Sequence, residues 1–240
     1  MSWLVTGAMA VLAGFIQTVT GFGAAAVLMT VLPGQSNLLT AAAVTQIVCL
    51  GLTSVLIVRL RRHIRWRKIW LPTTLYTVFC LAAVQVAGGL ELRGLTIAFG
   101  VFFVLLAVWF MAFHDKVSIR GSLTAEIACS AASGAMGGLF GVGGPPMALY
   151  MVSVMEERES YLAGLQVLFW VSGVFSAGSR ILNGMLPASR WTDCAAGVVG
   201  IWLGGWLGMK LGKRLPADKM KMAVYAFVGV SGILTVVGQL

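Results

Sequence analysis

The sequence predicts an all-α, polytopic membrane protein of two inverted four-segment repeats, each with one re-entrant or broken helix and three transmembrane helices. Three observations carry this. Of 240 residues, 59% are hydrophobic and only 10% charged, against ~25% charged in a soluble domain, so the bilayer rather than water is the solvent. Six stretches reach the ~20 apolar residues a spanning helix needs. Two longer apolar stretches are broken near the middle by glycine and polar residues, in matching contexts.

The six predicted spans are 37–58, 69–90, 95–113, 161–182, 192–212 and 220–239. The interrupted stretches are 3–32 and 122–155. The first breaks at Gln17-Thr18-Val19-Thr20-Gly21-Phe22-Gly23 and the second at Gly137-Gly138-Leu139-Phe140-Gly141-Val142-Gly143-Gly144-Pro145-Pro146. Glycine and proline both disfavour a continuous helix there. A shift of 120 residues carries Gly14, Gly21, Gly23 and Gly88 onto Gly134, Gly141, Gly143 and Gly208, and Gln46 onto Gln166. About two glycine coincidences are expected by chance among so many glycines; the two inside the breaks give the duplication its weight. The predicted repeats are 1–115 and 116–240.

Charge selects the topology. If all eight segments cross, Lys and Arg divide ten against seven, and nothing is oriented. If each interrupted segment enters and returns to its own side, one face collects Arg59, Arg61, Arg62, Arg65, Arg67, Lys68, Lys116, Arg120, Arg158, Lys210, Lys213, Arg214, Lys219 and Lys221. Only Arg93, Arg180 and Arg190 stay opposite, fourteen against three. The positive-inside rule then puts both termini outside. The net charge of +9 is thereby assigned to anionic lipid headgroups rather than to nucleic acid. Met1-Ser2-Trp3-Leu4 lacks a basic leader and cleavage pattern, so the N-terminus is expected to remain in the mature chain.

Irregular backbone at membrane depth is tolerated only where protein or a wet cavity satisfies its polar groups. Two breaks entering from opposite faces are therefore expected to meet near the midplane. Each second arm, starting near Gly23 or at Gly144-Pro145, would aim its N-terminal N–H groups at that point, a setting that favours an anion. The first arms bring their negative poles to the same tips, and the sequence leaves open which dominates. The candidate substrate-binding residues are Gln17, Thr18, Thr20, Gly21, Gly23, Gln46, Gly141, Gly143, Gly144, Pro145 and Gln166. Gln46 and Gln166 enter as matched amides that can donate to an anion without a buried charge, or as partners in interhelical hydrogen bonds.

Other polar residues read as structural. Glu126 complements a helix N-terminus, His63 lies within a basic run at the headgroups, and Arg180, near the outer end of its span, either attracts anions to or from the pathway or snorkels to the interface, the reading the sequence favours. Trp3, Trp66, Trp70 and Trp191 mark the membrane boundaries. Cys49, Cys80, Cys129 and Cys194 lie singly, without metal or redox spacing, and neither a metal nor an organic cofactor is predicted. His63 and His114 lack Cys or carboxylate partners at ligand spacing, which argues against an intramembrane enzyme. No Asp or Glu falls mid-span, so no coupling ion is evident.

Gly141-Val142-Gly143-Gly144-Pro145-Pro146, the earlier Gly21-Phe22-Gly23 and the duplicated four-segment halves resemble the sulfite exporter TauE/SafE family of membrane permeases. The resemblance covers almost the whole chain. It implies a transporter, usually an exporter, of sulfur-containing anions such as sulfite or organosulfonates in a prokaryotic cytoplasmic membrane. The family's glycine-rich stretches fall on Gly21, Gly23, Gly141, Gly143 and Gly144. The first copy departs from the pattern with Ala24-Ala25-Ala26. An anion channel, or a permease for another oxyanion or carboxylate, is the alternative. The identity of the anion and the oligomeric state are left open.

Overall fold

The computed structural model describes residues 2–113, 121–211, 229–230 and 232–238, and these are helical apart from short connections. The helices are α1 (Ser2–Thr20), α2 (Ala24–Leu28), α3 (Leu38–Leu60), α4 (Trp66–Gly88), α5 (Leu92–Phe113), α6 (Leu123–Phe140), α7 (Gly144–Val154), α8 (Arg158–Leu182) and α9 (Trp191–Leu211), with a further helical stretch at 229–230 and 232–237. The predicted repeat boundary at 115/116, His114 and most of the span 220–239 lie outside the described residues.

Six described helices are long and apolar enough to cross a membrane. Five match predicted spans, and the sixth is α1, which the sequence reading treats as half of a re-entrant element. At 1.5 Å per residue its nineteen residues reach about 28 Å. Nevertheless the chain after it returns. Ser2 Oγ donates to Asp193 (2.8 Å), Asp193 pairs with Arg190 (3.0 Å), and Arg190 donates to the Gln35 carbonyl (2.6 Å), which ties both ends of the first interrupted segment together. The second does likewise at the opposite end of the bundle: a Cβ on Gly121, before α6, would stand 2.8 Å from Val154 at the end of α7.

Glycine contacts give the helix directions. Gly7 lies against Ala196, Gly14 against Ile201 and Gly205, and Gly208 against Phe15 and Thr18, so α1 and α9 run parallel. In the same way Gly134 abuts Tyr76 and Cys80, and Gly138 abuts Cys80 and Val84, so α4 and α6 run parallel. These pairings exchange when corresponding elements of the halves are exchanged. Helices α3 and α8 cross antiparallel at the centre, where Gly173 meets Gln46 and Leu50 and Trp170 Nε1 donates to Ser54 (2.9 Å). The residues 229–230 and 232–238 lie antiparallel on α5, with Gly229 beside Ala107 and Gly232 beside Gly100. Small residues permit these approaches, which in lipid replace the hydrophobic drive of a soluble core.

The helix ends follow local chemistry. Asn37 caps α3 by accepting from the Thr40 N–H (2.8 Å), Ser122 caps α6 by accepting from Ala125 (3.2 Å), and Glu126 occupies the first turn of α6. Trp3 and Trp191 are exposed at one end of the bundle, and Trp66 and Trp70 at the other. Arg65 pairs with Glu157 (3.6 Å), Lys68 donates to the Val154 carbonyl (2.8 Å) and Arg59 reaches Met209 (2.7 Å). These contacts gather Arg59 to Lys68, Arg158 and Lys210 at the end opposite Arg190. Lys116, Arg120, Lys213, Arg214, Lys219 and Lys221 lie outside the described residues.

Gly204→Leu should disrupt the α1/α9 seam, because a Cβ there already meets the Val11 backbone. The expected cost is about 1–3 kcal/mol or more, read as a lower melting temperature in detergent. Gly178→Ala is the control, since a Cβ at Gly178 meets nothing within 4 Å.

Candidate functional site

Both breaks are built on left-handed glycines. Gly21 (φ 90°) and Gly23 (φ 103°) turn the chain between α1 and α2, and Gly141 (φ 72°) ends α6. A side chain at any of the three would strain the backbone. Gly143 admits no side chain for another reason: a Cβ would collide with the Ser133 carbonyl and the Tyr76 hydroxyl. The two tips touch, with Gly144 packed on Phe22 at 3.1 Å from a built Cβ to the phenylalanine Cβ.

Where they meet lies a cavity of about 50 Å³. One water needs roughly 10–15 Å³ on this measure, so the volume suits a small polyatomic ion. Its walls are Gln17, Phe22, Gly23, Ala25 and Ala26 from the first interrupted segment, and Gly141 to Pro145 from the second. Gln46, Cys49 and Thr53 of α3, Tyr76 and Cys80 of α4, and Phe169 and Ser172 of α8 complete it. The α3, α4 and α8 residues fall near the middle of their helices. The cavity is therefore at mid-depth of the bundle.

Seven of the eleven sequence-derived candidates line this space: Gln17, Gly23, Gln46, Gly141, Gly143, Gly144 and Pro145. Four do not. Thr18 donates to the Gly14 carbonyl (2.8 Å) and faces α9, and Thr20 donates to Ile16 (2.9 Å) and Phe22 (2.6 Å), closing its own turn. The Gly21 carbonyl accepts from Gln166 Nε2 (2.9 Å), while Gln166 Oε1 accepts from Gln17 Nε2 (3.0 Å). The two glutamines are thus not equivalent across the halves. Gln46 borders the cavity, and Gln166 locks the first tip from behind.

The second arms differ as well. Helix α2 has five residues and α7 has eleven, with proline in the first turn and no side-chain cap from Gly143. A dipole accumulates with aligned peptides, so α7 supplies the stronger N-terminal field, and α2 contributes chiefly the N–H groups left over at any helix start.

The α1 carbonyls are taken up by α8: Arg158 Nη2 donates to Val19 (3.0 Å) and Tyr161 Oη to Thr20 (3.2 Å). At the second tip Arg180 Nη2 donates to Gly137 (3.4 Å) and Gly138 of the last turn of α6. Helix α8 thus covers the negative pole of each first arm with an arginine. Arg180 corrects the expectation of a snorkelling side chain, for it is fully buried. Its guanidinium is drawn inward because the α6 carbonyls end beside it, a contact invisible in the spacing of α8. Tyr76, Cys80, Phe169 and Ser172 were also missed, since in an apolar span they carry no periodic signal.

Together these features define a polytopic membrane protein with a mid-depth cavity bounded by two broken segments. The chain belongs to the Sulfite exporter TauE/SafE family, matching it over residues 6–235. No curated protein and no solved structure matches it. The family is one of membrane transporters of sulfite or related anions.

Gln166→Ala would strand the Gln17 amide and the Gly21 carbonyl, each at about 1–3 kcal/mol. A clear fall in melting temperature is expected, with Gln46→Ala close to wild type. An unchanged melting temperature for Gln166→Ala would refute the locking role.

Proposed function

We propose that this chain is a carrier that exports a small sulfur oxyanion, sulfite before the bulkier organosulfonates, through the mid-depth cavity. The observation that carries the reading is the polarity of the tips: both first-arm carbonyl ends are covered by arginines, while glycine backbone and the start of α7 border the cavity. N–H groups at an uncapped helix start, with an amide such as Gln46, suit an oxyanion. The cavity volume favours a compact one.

The halves act as inverted repeats in this proposal, and the exchange of helix pairings between them supports it. Access alternates as one half rocks against the other, as in transporters with discontinuous helices at the midplane. The end bearing Arg59 to Lys68 faces the prokaryotic cytoplasm by the positive-inside rule, which leaves both termini outside. An inside-negative potential drives a monovalent anion outward by ~2.3 kcal/mol per 100 mV. No second ion is required.

Vesicles reconstituted with the protein should take up sulfite saturably, with sulfoacetate, thiosulfate and sulfate weaker and a carboxylate control near background. Flux should persist without a proton or sodium gradient and should show counterflow. A strict need for either gradient contradicts uncoupled export, and a linear, non-saturating flux would indicate a pore. Gln46→Ala should raise the apparent KM for sulfite by about tenfold or more, the value of one hydrogen bond to a charged ligand.

A further inference from the structure

Arg180 has more charge than its visible partners neutralise. A guanidinium stays protonated in proteins, and taking it out of water costs several kcal/mol unless it is fully paired. Here the pairing is partial. Nη2 serves the Gly137 and Gly138 carbonyls, but Nε and Nη1 are buried with no hydrogen-bond partner. The carboxylate ion pairs among the described residues join Arg65 to Glu157 and Arg190 to Asp193, and none engages Arg180. The carbonyl end of α6 amounts to about half a negative charge, so a net positive field remains.

The cavity wall lies directly in front of it: the Tyr76 hydroxyl abuts Gly137 and the Cys80 backbone abuts Gly138, the two residues whose carbonyls Arg180 engages, and both Tyr76 and Cys80 line the cavity. Arg158, its counterpart on the first tip, lies at an exposed position where water and salt screen it. Capping the α6 carbonyls alone would need only neutral N–H groups, which a glutamine amide also has. The permanent charge is what that structural task leaves unexplained.

We propose that Arg180 is the fixed counter-charge of the transported anion: from behind Tyr76 and Cys80 it makes the cavity electropositive and sets the preference for doubly over singly charged oxyanions. It acts through the wall, as a specificity-determining residue. The inference rests on the reading of the cavity as the anion site.

The test uses the full chain in vesicles, with sulfite as substrate and sulfate and methanesulfonate as divalent and monovalent competitors. Arg180→Gln keeps a donor for the α6 carbonyls and, by removing a unit charge several ångströms from the anion, is expected to raise the sulfite KM by about tenfold or more, with the sulfate-over-methanesulfonate preference reduced. Arg180→Lys should recover most of both. Ser176→Asp offers a route that leaves the arginine in place. Ser176 precedes Arg180 by one turn of α8 and is fully buried, so a carboxylate there would cancel the charge and reproduce the KM rise, which Ser176→Asn should not. Folded Arg180→Gln or Ser176→Asp protein with a wild-type KM and competitor preference, altered only in melting temperature or maximal rate, overturns the proposal and leaves Arg180 as a helix cap. Wild-type vesicles that move no oxyanion would instead sink the reading beneath it.

Discussion

Peptide groups that leave helical geometry at membrane depth must find partners inside the protein, because hydrocarbon supplies none. Two stretches of this chain do leave it, and much of the tertiary structure consists of the partners they find. The first break hands its carbonyls to Arg158, Tyr161 and Gln166, and closes its own turn with Thr20. At the second, Arg180 reaches the last carbonyls of α6 while Tyr76 fills the space beside Gly137 and Gly143. Glycines at the bends and at the seams let backbone approach backbone closely enough for this to work.

Helix α8 is the element on which the arrangement turns. It supplies the donors for the first tip near its start, two cavity walls at its middle and the arginine of the second tip near its end. Any shift of α8 along its axis would be felt at both tips. The two interrupted segments are also built differently. A short α2 with an exposed arginine behind its tip faces a longer α7 with a buried one. The second tip thus has a buried charge beside it, and the first is held by a denser set of side-chain hydrogen bonds.

Five of the six predicted spans and both breaks were legible in the sequence, because apolar length and interrupting glycines are local properties. Gly23, Gly141, Gly143, Gly144 and Pro145 were legible as cavity-bordering for the same reason, since the break that makes them conspicuous is what opens the space. Thr18 and Thr20 were not: a hydroxyl in a helix satisfies itself on a carbonyl one turn back, and nothing in its spacing says so. The matched position of Gln166 pointed to a second copy of Gln46, yet the donors demanded by the Gly21 carbonyl and Gln17 turned it elsewhere.

What the sequence determined by itself was the solvent, the lengths of the helices and the places where they stop, all set by composition over short windows. Away from the breaks, which residues of the long helices face inward was decided mainly by tertiary structure. A helix in lipid is apolar on its outer face as well as its inner one, so the periodicity that separates core from surface in water is largely erased. Gln166 bonds Gly21 across 145 positions and Arg180 bonds Gly138 across 42. Partners so distant are chosen by the need to satisfy buried polar groups once the helices have assembled.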